Sequence, residues 1–379
     1  MTYLMPNYAA PAVTFVRGEG TRLWDDDGKE YLDFLTGLAV VSLGHANPVI
    51  TAATAAQAQK LVHVSNIFGN EHNQPLAESI DRLLGGGGQV FFSNSGAEAV
   101  ECALKLARKH GGHGRHVVIS AYGSFHGRTL AALAATGQPE KHEPFAPMPD
   151  GFRHVALNDI EALTAAFDPS VAAVLLEPVQ GEGGVNPADL DYLRAVRALC
   201  DERGALLIMD EVQTGLGRTG RWFGFEHAGI SADVVTMAKA LGNGFPIGAC
   251  WARADVAAAF VPGDHGSTFG GQPLAAATAR AVIAELERLD APALAARAGA
   301  RLREGLEALP NVSSVRGLGL LLAAELTDGI DAKAISAACL EAGLVANAVR
   351  PTSLRFAPPL TVSDDEIDEA LAILEKVLS

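Results

Sequence analysis

Short apolar runs that alternate with amphipathic stretches fill the middle of the chain and restrict most strongly what it can fold into. Four of them are "HVVIS" (116–120), "VAAVLLEP" (171–178), "ALLIMDE" (205–211) and "DVVTMAK" (233–239). Such runs are typical of strands buried on both faces of a parallel sheet. Between two of them, Asn186 as N-cap, Pro187 at the first helical position and Gly204 as terminator predict a crossover helix. The pattern therefore favours an α/β fold.

The length and composition predict an ordinary globular protein of two domains. The chain has 379 residues, 49% of them apolar, and lacks low-complexity segments. No apolar run reaches the roughly 18 residues that a membrane span needs, and the start lacks a basic signal region, so we expect a cytoplasmic protein without a membrane partner. The net charge of −15 disfavours nucleic acid as a partner. Four isolated cysteines predict neither disulfides nor a zinc site.

The two ends of the chain carry local folding signals. Asp27-Gly28 between two partly alternating apolar runs predicts a β-hairpin. Ser363 and Glu366 form a capping-box pattern in front of an apolar helical face. The last hundred or so residues are patterned as a helix, then strands, then a helix, and we expect the hairpin to pack on them. We therefore place the large domain at 50–275 and the small domain at 1–49 and 276–379.

Three motifs resemble known sites but lack the context that such sites need. "GLGRTG" (215–220) fits the dinucleotide pattern, yet aromatic residues and glycine follow it where a helix should begin. "HGGHGRH" (110–116) holds three histidines without acidic partners, and the aspartates at 25–27 lack the EF-hand spacing. We therefore expect neither a dinucleotide site nor a metal site.

Asp210 and Lys239 each end an apolar run. Parallel strands bring such residues to the carboxyl edge of the sheet, where open α/β sheets bind ligands. Desolvation lowers the pKa of a buried lysine and makes it a nucleophile able to form a Schiff base, while a buried aspartate can keep a pyridoxal ring nitrogen protonated. Taken alone, the two residues fit equally well with an ordinary buried ion pair or with a lysine that extends to solvent.

A strand-to-helix junction supplies a third element. "FFSNSGAEAVECALKLARKHGG" (91–112) passes from a strand through Asn94, Ser95 and Gly96 into a helix. The free N–H groups at a helix start can bind phosphate, and glycine lets the backbone approach closely. By itself the junction could equally be a plain capped helix. Combined with Asp210 and Lys239, it favours a phosphate-bearing pyridoxal cofactor.

Together these motifs resemble those of the class III, or ω-amino, aminotransferases. "SNSGAEA", "SFHGRT", "EPVQGEGG", "LLIMDEVQTGLGRTG", "MAKALGNGFPIGA" and "GSTFGGQPLA" follow one another in the family's order, and the resemblance covers nearly the whole chain. It implies the fold type I of pyridoxal-phosphate-dependent transferases: a large domain with a mixed, mostly parallel sheet flanked by helices, and a smaller α/β domain. It also implies pyridoxal 5'-phosphate as cofactor and a homodimer with active sites at the interface.

The resemblance assigns roles to individual residues. Lys239 corresponds to the Schiff-base lysine and Asp210 to the partner of the ring nitrogen. The other implied cofactor contacts are Ser95, Gly96 and Ala97 at the phosphate, Thr268 reaching the phosphate across the dimer interface, Phe125 and Val212 on the two ring faces, and Gln213 at the ring hydroxyl.

Within the family, "SFHGRT", "EPVQGEGG" and "LRFAPPL" are most similar to the acetylornithine aminotransferase group. That likeness implies that Arg128 binds the distant α-carboxylate of the amine, and that Arg355 binds the α-carboxylate of glutamate or 2-oxoglutarate. It further implies that Glu182 pairs with Arg355 while the amine is bound and that Ser267 contacts the amine donor. The planar guanidinium group of arginine can donate two parallel hydrogen bonds to such a carboxylate. Without the motif context, the two arginines would be interpreted as members of surface ion pairs and Glu182 as a helix or turn cap.

The expected reaction is a ping-pong exchange in which N-acetylornithine and 2-oxoglutarate give N-acetylglutamate 5-semialdehyde and glutamate, a step of arginine biosynthesis. The same chemistry on acetyl-lysine, succinylornithine, ornithine, 4-aminobutyrate or a carrier-bound amine of the aminoadipate pathway stays open, since Phe68, Ala97 and Gln272 depart from the commonest family wording. An alternative of a different functional class is a non-catalytic binding protein of the same fold. The hypothesis of a reductase depends on "GLGRTG" alone.

Overall fold

The structure is a computed structural model that describes residues 3–379; residues 1 and 2, which belong to the predicted small domain, lie outside the described residues. The strands are β1 Phe15–Glu19, β2 Arg22–Asp25, β3 Glu30–Asp33, β4 Gly88–Ser93, β5 Val117–Ala121, β6 Phe152–Val155, β7 Val171–Leu176, β8 Val179–Gln180, β9 Asn186–Pro187, β10 Leu206–Asp210, β11 Val234–Met237, β12 Gly248–Arg253, β13 Val312–Leu318, β14 Leu321–Leu326, β15 Leu344–Val345, β16 Asn347–Arg350 and β17 Ser353–Phe356.

The helices alternate with these strands through most of the chain. They are α1 Thr36–Ala39, α2 Pro48–Lys60, α3 Asn73–Leu83, α4 Gly96–Gly111, α5 Leu130–Ala135, α6 Ile160–Ala165, α7 Leu190–Arg203, α8 Ala254–Ala257, α9 Pro273–Arg288, α10 Ala291–Glu307, α11 Ala332–Glu341 and α12 Asp364–Leu378. Four short 3₁₀ helices span Pro139–Lys141, Glu143–Phe145, Gly224–Ala228 and Lys239–Leu241.

The four apolar runs form neighbouring strands of one seven-stranded sheet. Its order is β4-β12-β11-β10-β7-β5-β6, and the pairs from β11 through β6 are parallel. β12 runs antiparallel to both of its neighbours. Burial on both faces explains why these strands are apolar throughout rather than alternating. The predicted α/β architecture with a mixed, mostly parallel sheet is confirmed.

Helices cover both faces of this sheet. Apolar residues of α4 pack with Val118 of β5 and Ile208 of β10 in one core cluster. Residues of α7 and α9 belong to the other cluster, together with Ile119 and Leu207, the neighbours of those two strand residues. Consecutive strand residues thus point into different cores, as the two-residue period of a strand requires.

The crossover helix α7 begins later than the sequence predicts. Its N-cap is Asp189, and Asn186–Pro187 form β9, which pairs antiparallel with β8. The prediction of Asn186 as N-cap and Pro187 as first helical residue was therefore wrong, because pairing with the nearby β8 draws these two residues into a strand before the helix begins. Gly204 ends the helix as predicted, in a left-handed conformation with φ 60° and ψ 33°.

Two smaller four-stranded sheets contain the ends of the chain. The predicted hairpin is confirmed: β2 and β3 pair antiparallel, and Gly28 adopts a φ of 83°. β3 also pairs with β15, so that Leu32 lies beside Leu344. The other sheet has the order β13-β14-β17-β16. The predicted capping box of Ser363 and Glu366 is present at the start of α12.

A left-handed turn connects the hairpin to the large sheet. Thr36, Gly37, Leu38 and Ala39, which form α1, have φ values of 51°, 62°, 72° and 63°. Backbone of this kind is strained for residues with a side chain. Asp33 accepts a hydrogen bond from the Thr36 N–H at 2.7 Å, and the Thr36 hydroxyl donates to the Ala357 carbonyl at 2.7 Å. The turn is thereby tied to the segment that follows β17.

The "GLGRTG" segment forms tight turns instead of opening a helix, as its sequence context predicted. Its arginine, Arg218, is 1% exposed and donates hydrogen bonds to the carbonyls of Leu320 and Pro358 and to the Ser42 hydroxyl. Burial lowers the pKa of Arg218 to about 9. The motif is therefore a structural clamp between three distant segments. Within residues 3–379, no helix is both long enough and apolar enough to cross a membrane.

Replacing Gly204 with alanine tests the left-handed end of α7. A Cβ there would meet only Arg115, at an ordinary 3.6 Å, so the expected loss of about 1 kcal/mol in unfolding free energy comes from the backbone. Urea unfolding of G204A and of the same-site variant G204N measures this, because asparagine tolerates the left-handed conformation better than alanine does. Equal midpoints for the two variants would contradict the assignment.

Candidate active site

A cavity of about 400 Å³ lies where β7, β10 and β11 end. Glu177 follows β7, Asp210 ends β10, and Lys239 stands two residues beyond β11, so the shared direction of the strands brings all three to one edge of the sheet. Ten of the residues predicted from the sequence line the cavity: Ser95, Gly96, Ala97, Phe125, Arg128, Glu182, Asp210, Val212, Gln213 and Lys239.

Asp210 is 4% exposed and held by three contacts. Its Oδ2 lies 2.7 Å from Nδ1 of His126, and its Oδ1 accepts hydrogen bonds from the Val212 N–H at 3.1 Å and the Thr236 hydroxyl at 3.2 Å. The buried side-chain partner of this aspartate is therefore His126, and Lys239 makes no ion pair with it. Sequence reasoning missed His126, although it stands inside the "SFHGRT" motif used for Phe125 and Arg128.

Lys239 begins a 3₁₀ turn and has a φ of 43°, a region that residues with a side chain rarely adopt. Part of its surface stays accessible in the cavity. Burial lowers the pKa of the Lys239 amine; Glu182 acts in the opposite direction and Arg355 in the same one. A lysine with a lowered pKa is more often neutral at physiological pH and can then act as a nucleophile or a base.

The N-terminus of α4 forms one wall of the cavity. Ser95 is its N-cap and accepts a hydrogen bond from the Glu98 N–H at 3.3 Å, while Glu98 accepts one from the Asn94 N–H at 2.7 Å. The N–H groups of Gly96 and Ala97 have no hydrogen-bond acceptor among the described residues. A Cβ on Gly96 would lie 2.9 Å from Val212 Cγ1, so glycine is needed for this close approach. The junction offers free N–H groups to an anion, as predicted.

Buried Arg355 forms an ion pair with the half-buried Glu182. Arg355, on β17, is 0% exposed, and its Nη1 lies 2.5 Å from Glu182 Oε1. Its Nε donates to Asn347 Oδ1 at 3.1 Å, and Nη2 is buried without an acceptor in the described part of the chain. Burial opposes ionisation of Glu182, but Arg355 outweighs it, so the pKa of Glu182 is lowered.

Glu177 is a second residue that the sequence analysis missed. It is 7% exposed and accepts hydrogen bonds from the N–H groups of Phe125, at 2.9 Å, and Gly181, at 3.4 Å. Burial raises the pKa of Glu177 to about 7. The only sequence signal for it is its position directly after the strand "VAAVLL", which is the same signal that selected Asp210.

Three predicted residues do not line the cavity: Arg355, Ser267 and Thr268. Arg355 reaches it through Glu182. The Ser267 hydroxyl accepts a hydrogen bond from Asn94 Nδ2 at 3.0 Å, which places it behind the α4 N-terminus, and Thr268 is exposed. Arg128 is exposed as well, with its guanidinium 5.6 Å from the centre of the Phe125 ring.

The polar atoms left without partners fit a cofactor that carries an anion and a ring. Oε1 of Gln213 is buried in the cavity wall and has no donor within residues 3–379. The free N–H groups of Gly96 and Ala97 suit a phosphate, and the carboxylate of Asp210 suits a protonated ring nitrogen. A nucleophilic lysine beside them suits an aldehyde. The donor set matches pyridoxal 5'-phosphate.

Residues 3–378 match the family model described as aminotransferase class III. The chain belongs to the class III aminotransferases. It is 50% identical over 385 residues to the acetylornithine aminotransferase of Caldanaerobacter subterraneus, an alignment that spans all of this chain and 97% of the relative. The predicted family is therefore confirmed, and pyridoxal 5'-phosphate is the cofactor of this aminotransferase family.

Solved structures agree with this assignment. The N-acetylornithine aminotransferase of Stenotrophomonas maltophilia superposes with a TM-score of 0.85 at 39% identity, over 97% of this chain and 96% of that one. The ornithine aminotransferase of Toxoplasma gondii superposes with a TM-score of 0.94 at 37% identity, over 99% of this chain and 92% of that one. The fold type I architecture is thus confirmed.

Replacing His126 with leucine tests its hydrogen bond with Asp210. The variant leaves Oδ2 of a buried carboxylate without a protein donor, so the unfolding free energy of the cofactor-free protein should fall by about 1–3 kcal/mol. In a D210N background the same replacement should cost less, because the charge that needs the donor is gone. Urea unfolding of the wild type, both single variants and the double variant measures the coupling; strictly additive losses would contradict a direct interaction.

Proposed function

We propose that this class III aminotransferase moves the δ-amino group of N-acetylornithine to 2-oxoglutarate and forms N-acetylglutamate 5-semialdehyde and glutamate, a reaction of arginine biosynthesis. The observation that carries the proposal is the ion pair of buried Arg355 with Glu182, in which one guanidinium donor, Nη2, has no acceptor among the described residues. A pocket that alternates between an ω-amine and an α-carboxylate needs an arginine whose charge can be matched in both states. The curated relative at 50% identity carries the name of this activity.

The charges near the cavity mouth favour an amine substrate whose α-amino group is acylated. Arg128 is exposed at the mouth. Burial lowers the pKa of Lys141, Glu140 and Glu182 oppose this, and the nearby Arg128 and Arg350 lower it further, so three basic groups lie close to two acids. The excess of basic groups attracts the distant α-carboxylate of N-acetylornithine and repels the free α-ammonium of ornithine. Arg128 is the residue that we assign to this carboxylate.

Each residue of the cavity has a defined task in the proposed reaction. Ser95, Gly96, Ala97 and the partner subunit's Thr268 would hold the phosphate, Phe125 and Val212 would pack on the ring, and Gln213 would face the ring hydroxyl. When bound, pyridoxal 5'-phosphate supplies the electron sink and stores the amino group between the two half-reactions. Asp210, held by His126, would lie opposite the ring nitrogen. Lys239 Nζ would take a proton from the carbon of the amine substrate in the first half-reaction and deliver one to the carbon of the keto acid in the second. Ser267 supports Asn94 and the amine side of the pocket.

Two carboxylate patterns are accommodated by movement of one acid. With the ω-amine bound, Glu182 neutralises Arg355 and keeps this end of the cavity free of net charge. With glutamate or 2-oxoglutarate bound, Glu182 withdraws, and the Arg355 fork donates to the α-carboxylate. Both substrates therefore use the same lysine and the same ring.

We also propose that the protein is a homodimer. Each chain has a large domain, 50–275, and a small domain formed by 1–49 and 276–379. Ile67, Phe68 and Phe269 are 83%, 69% and 58% exposed, which is unusual for large apolar side chains close to one another. Their segments are connected, because Asn66 Nδ2 donates to the Gly270 carbonyl at 2.8 Å. Thr268 lies within this apolar surface and outside its own chain's cavity. Contact between two such surfaces supports the role of Thr268 at the partner's phosphate.

The visible absorbance of the bound cofactor tests the substrate. Adding N-acetylornithine alone should bleach the band faster than ornithine or acetyl-lysine at equal concentration, because only the first has both the matched chain length and an uncharged α-nitrogen. Subsequent 2-oxoglutarate should restore it. K239A should show no such cycle, whereas K333A, which changes an exposed lysine, should behave like the wild type. If another amine bleached the band faster, that amine would be the substrate in place of N-acetylornithine. An active K239A would refute the mechanism.

Light scattering and cofactor affinity test the dimer. We expect twice the chain mass of 39.4 kDa. T268A should raise the cofactor dissociation constant about five- to ten-fold through loss of one hydroxyl donor to the phosphate. T164A, which alters an exposed threonine on α6, should leave it unchanged. A monomer with wild-type affinity in T268A would exclude the contact between subunits.

A further inference from the structure

One carboxylate connects the two loops that shape opposite sides of the cavity. Glu177 Oε2 accepts the Phe125 N–H at 2.9 Å, and its Oε1 accepts the Gly181 N–H at 3.4 Å. The first loop carries the ring-facing Phe125 and Arg128. The second loop, Gly181 to Gly184, carries Glu182. The position of Glu177 therefore affects both loops at once.

The Glu182 loop is anchored on its other side by the C-terminal sheet. Arg350 Nε donates to the Gly183 carbonyl at 2.8 Å, and Arg316 Nε donates to the Gly184 carbonyl at 2.8 Å. On the near side Gly181 packs so closely that a Cβ there would lie 1.6 Å from Gln213 Oε1. The long bond from Gly181 to Glu177 is thus the weak anchor of a loop that is otherwise firmly held.

We infer that Glu177 is a positioning residue that, by holding Gly181, sets how readily Glu182 leaves Arg355 to admit a dicarboxylate. The inference rests on the proposed function only in taking Arg355 as the dicarboxylate site. Glu177 makes no ion pair with Arg355, so it acts through the loop. A charged Glu177 accepts from both N–H groups and favours the Glu182–Arg355 pair. When the Glu177 carboxyl is protonated, one of its oxygens becomes a hydroxyl, which is a weaker acceptor for an N–H group. The loop from Gly181 to Gly184 is then held less firmly.

The charge of Glu177 changes within the physiological pH range. Burial raises its pKa to about 7, helped by Asp210 at the end of β10 and opposed by His126 after β5, the Phe125 N–H and Lys239 after β11. The carboxyl is charged above this pKa and neutral below it. As pH falls through about 7, the hold on Gly181 weakens, and binding of dicarboxylates at Arg355 should strengthen.

Glutarate binding to the holoenzyme, measured by calorimetry between pH 6 and 8, tests the inference. Glutarate has two carboxylates and no reactive group, so the result does not depend on which amine is the substrate. In E177Q the amide has one acceptor for two N–H donors and mimics the neutral acid. We expect E177Q at pH 8 to bind glutarate about three- to ten-fold more tightly than the wild type, which corresponds to the loss of one hydrogen bond. The wild type should approach the E177Q value as the pH falls to 6, and E177Q should show little pH dependence.

Glu211 supplies the matched control. It is 2% exposed, accepts the Phe225 N–H at 3.0 Å, and burial raises its pKa to about 7, yet it does not line the cavity. E211Q should share any loss of thermal stability but keep the wild-type glutarate affinity and its pH dependence. A purely structural role of Glu177 would make the two variants alike.

The outcomes separate this inference from the proposed function. Wild-type affinity and wild-type pH dependence in E177Q would overturn it, as would a wild type that does not bind glutarate. If E177Q does not fold, E177D, whose oxygens fall short of both N–H groups, should bind glutarate tightly at both pH values. Loss of the pH response in E177Q together with no response to N-acetylornithine would leave the inference standing and refute the substrate assignment.

Discussion

The common direction of β7, β10 and β11 is the constraint on which the rest of the structure depends. Because these strands are parallel and adjacent, the residues that follow them, Glu177, Asp210 and Lys239, meet at one edge although they are remote in sequence. Burial on both faces keeps water from the sides of the sheet, so the charged groups have only the cavity and one another for solvation. The apolar strands thus create the electrostatic conditions of the site.

Each of the three acids that line the cavity has a distinct partner. Asp210 is paired with His126 and Glu182 with Arg355, while Glu177 is compensated by backbone N–H groups. Among the ion pairs of residues 3–379, none includes Lys239, so the amine on which the chemistry depends is not fixed by a neighbouring carboxylate. This division explains how three acids and a reactive lysine can share about 400 Å³.

Features set by local sequence could be predicted, and features set by contacts between distant segments could not. Apolar runs predicted β5, β7, β10 and β11, and capping patterns predicted the starts of α4 and α12. The start of α7 was wrong for a local reason, because Asn186 and Pro187 pair with the nearby β8. His126 and Glu177 escaped notice because their roles depend on contacts with Asp210 and Phe125, which lie far from them in the sequence. The residues carried over from the family resemblance came together at the cavity, apart from Ser267 and Thr268, which lie outside its lining, and Arg355, which reaches it through Glu182.

The pairing of β3 with β15 bears on how the protein is made. The N-terminal hairpin is translated long before Leu344, the neighbour of its Leu32. An isolated hairpin is marginally stable in water, so it must wait for the residues between them before it is held. Arg355 is translated later still. The free N–H groups at the start of α4 can therefore come into place on a nascent chain that still lacks its carboxylate-binding arginine.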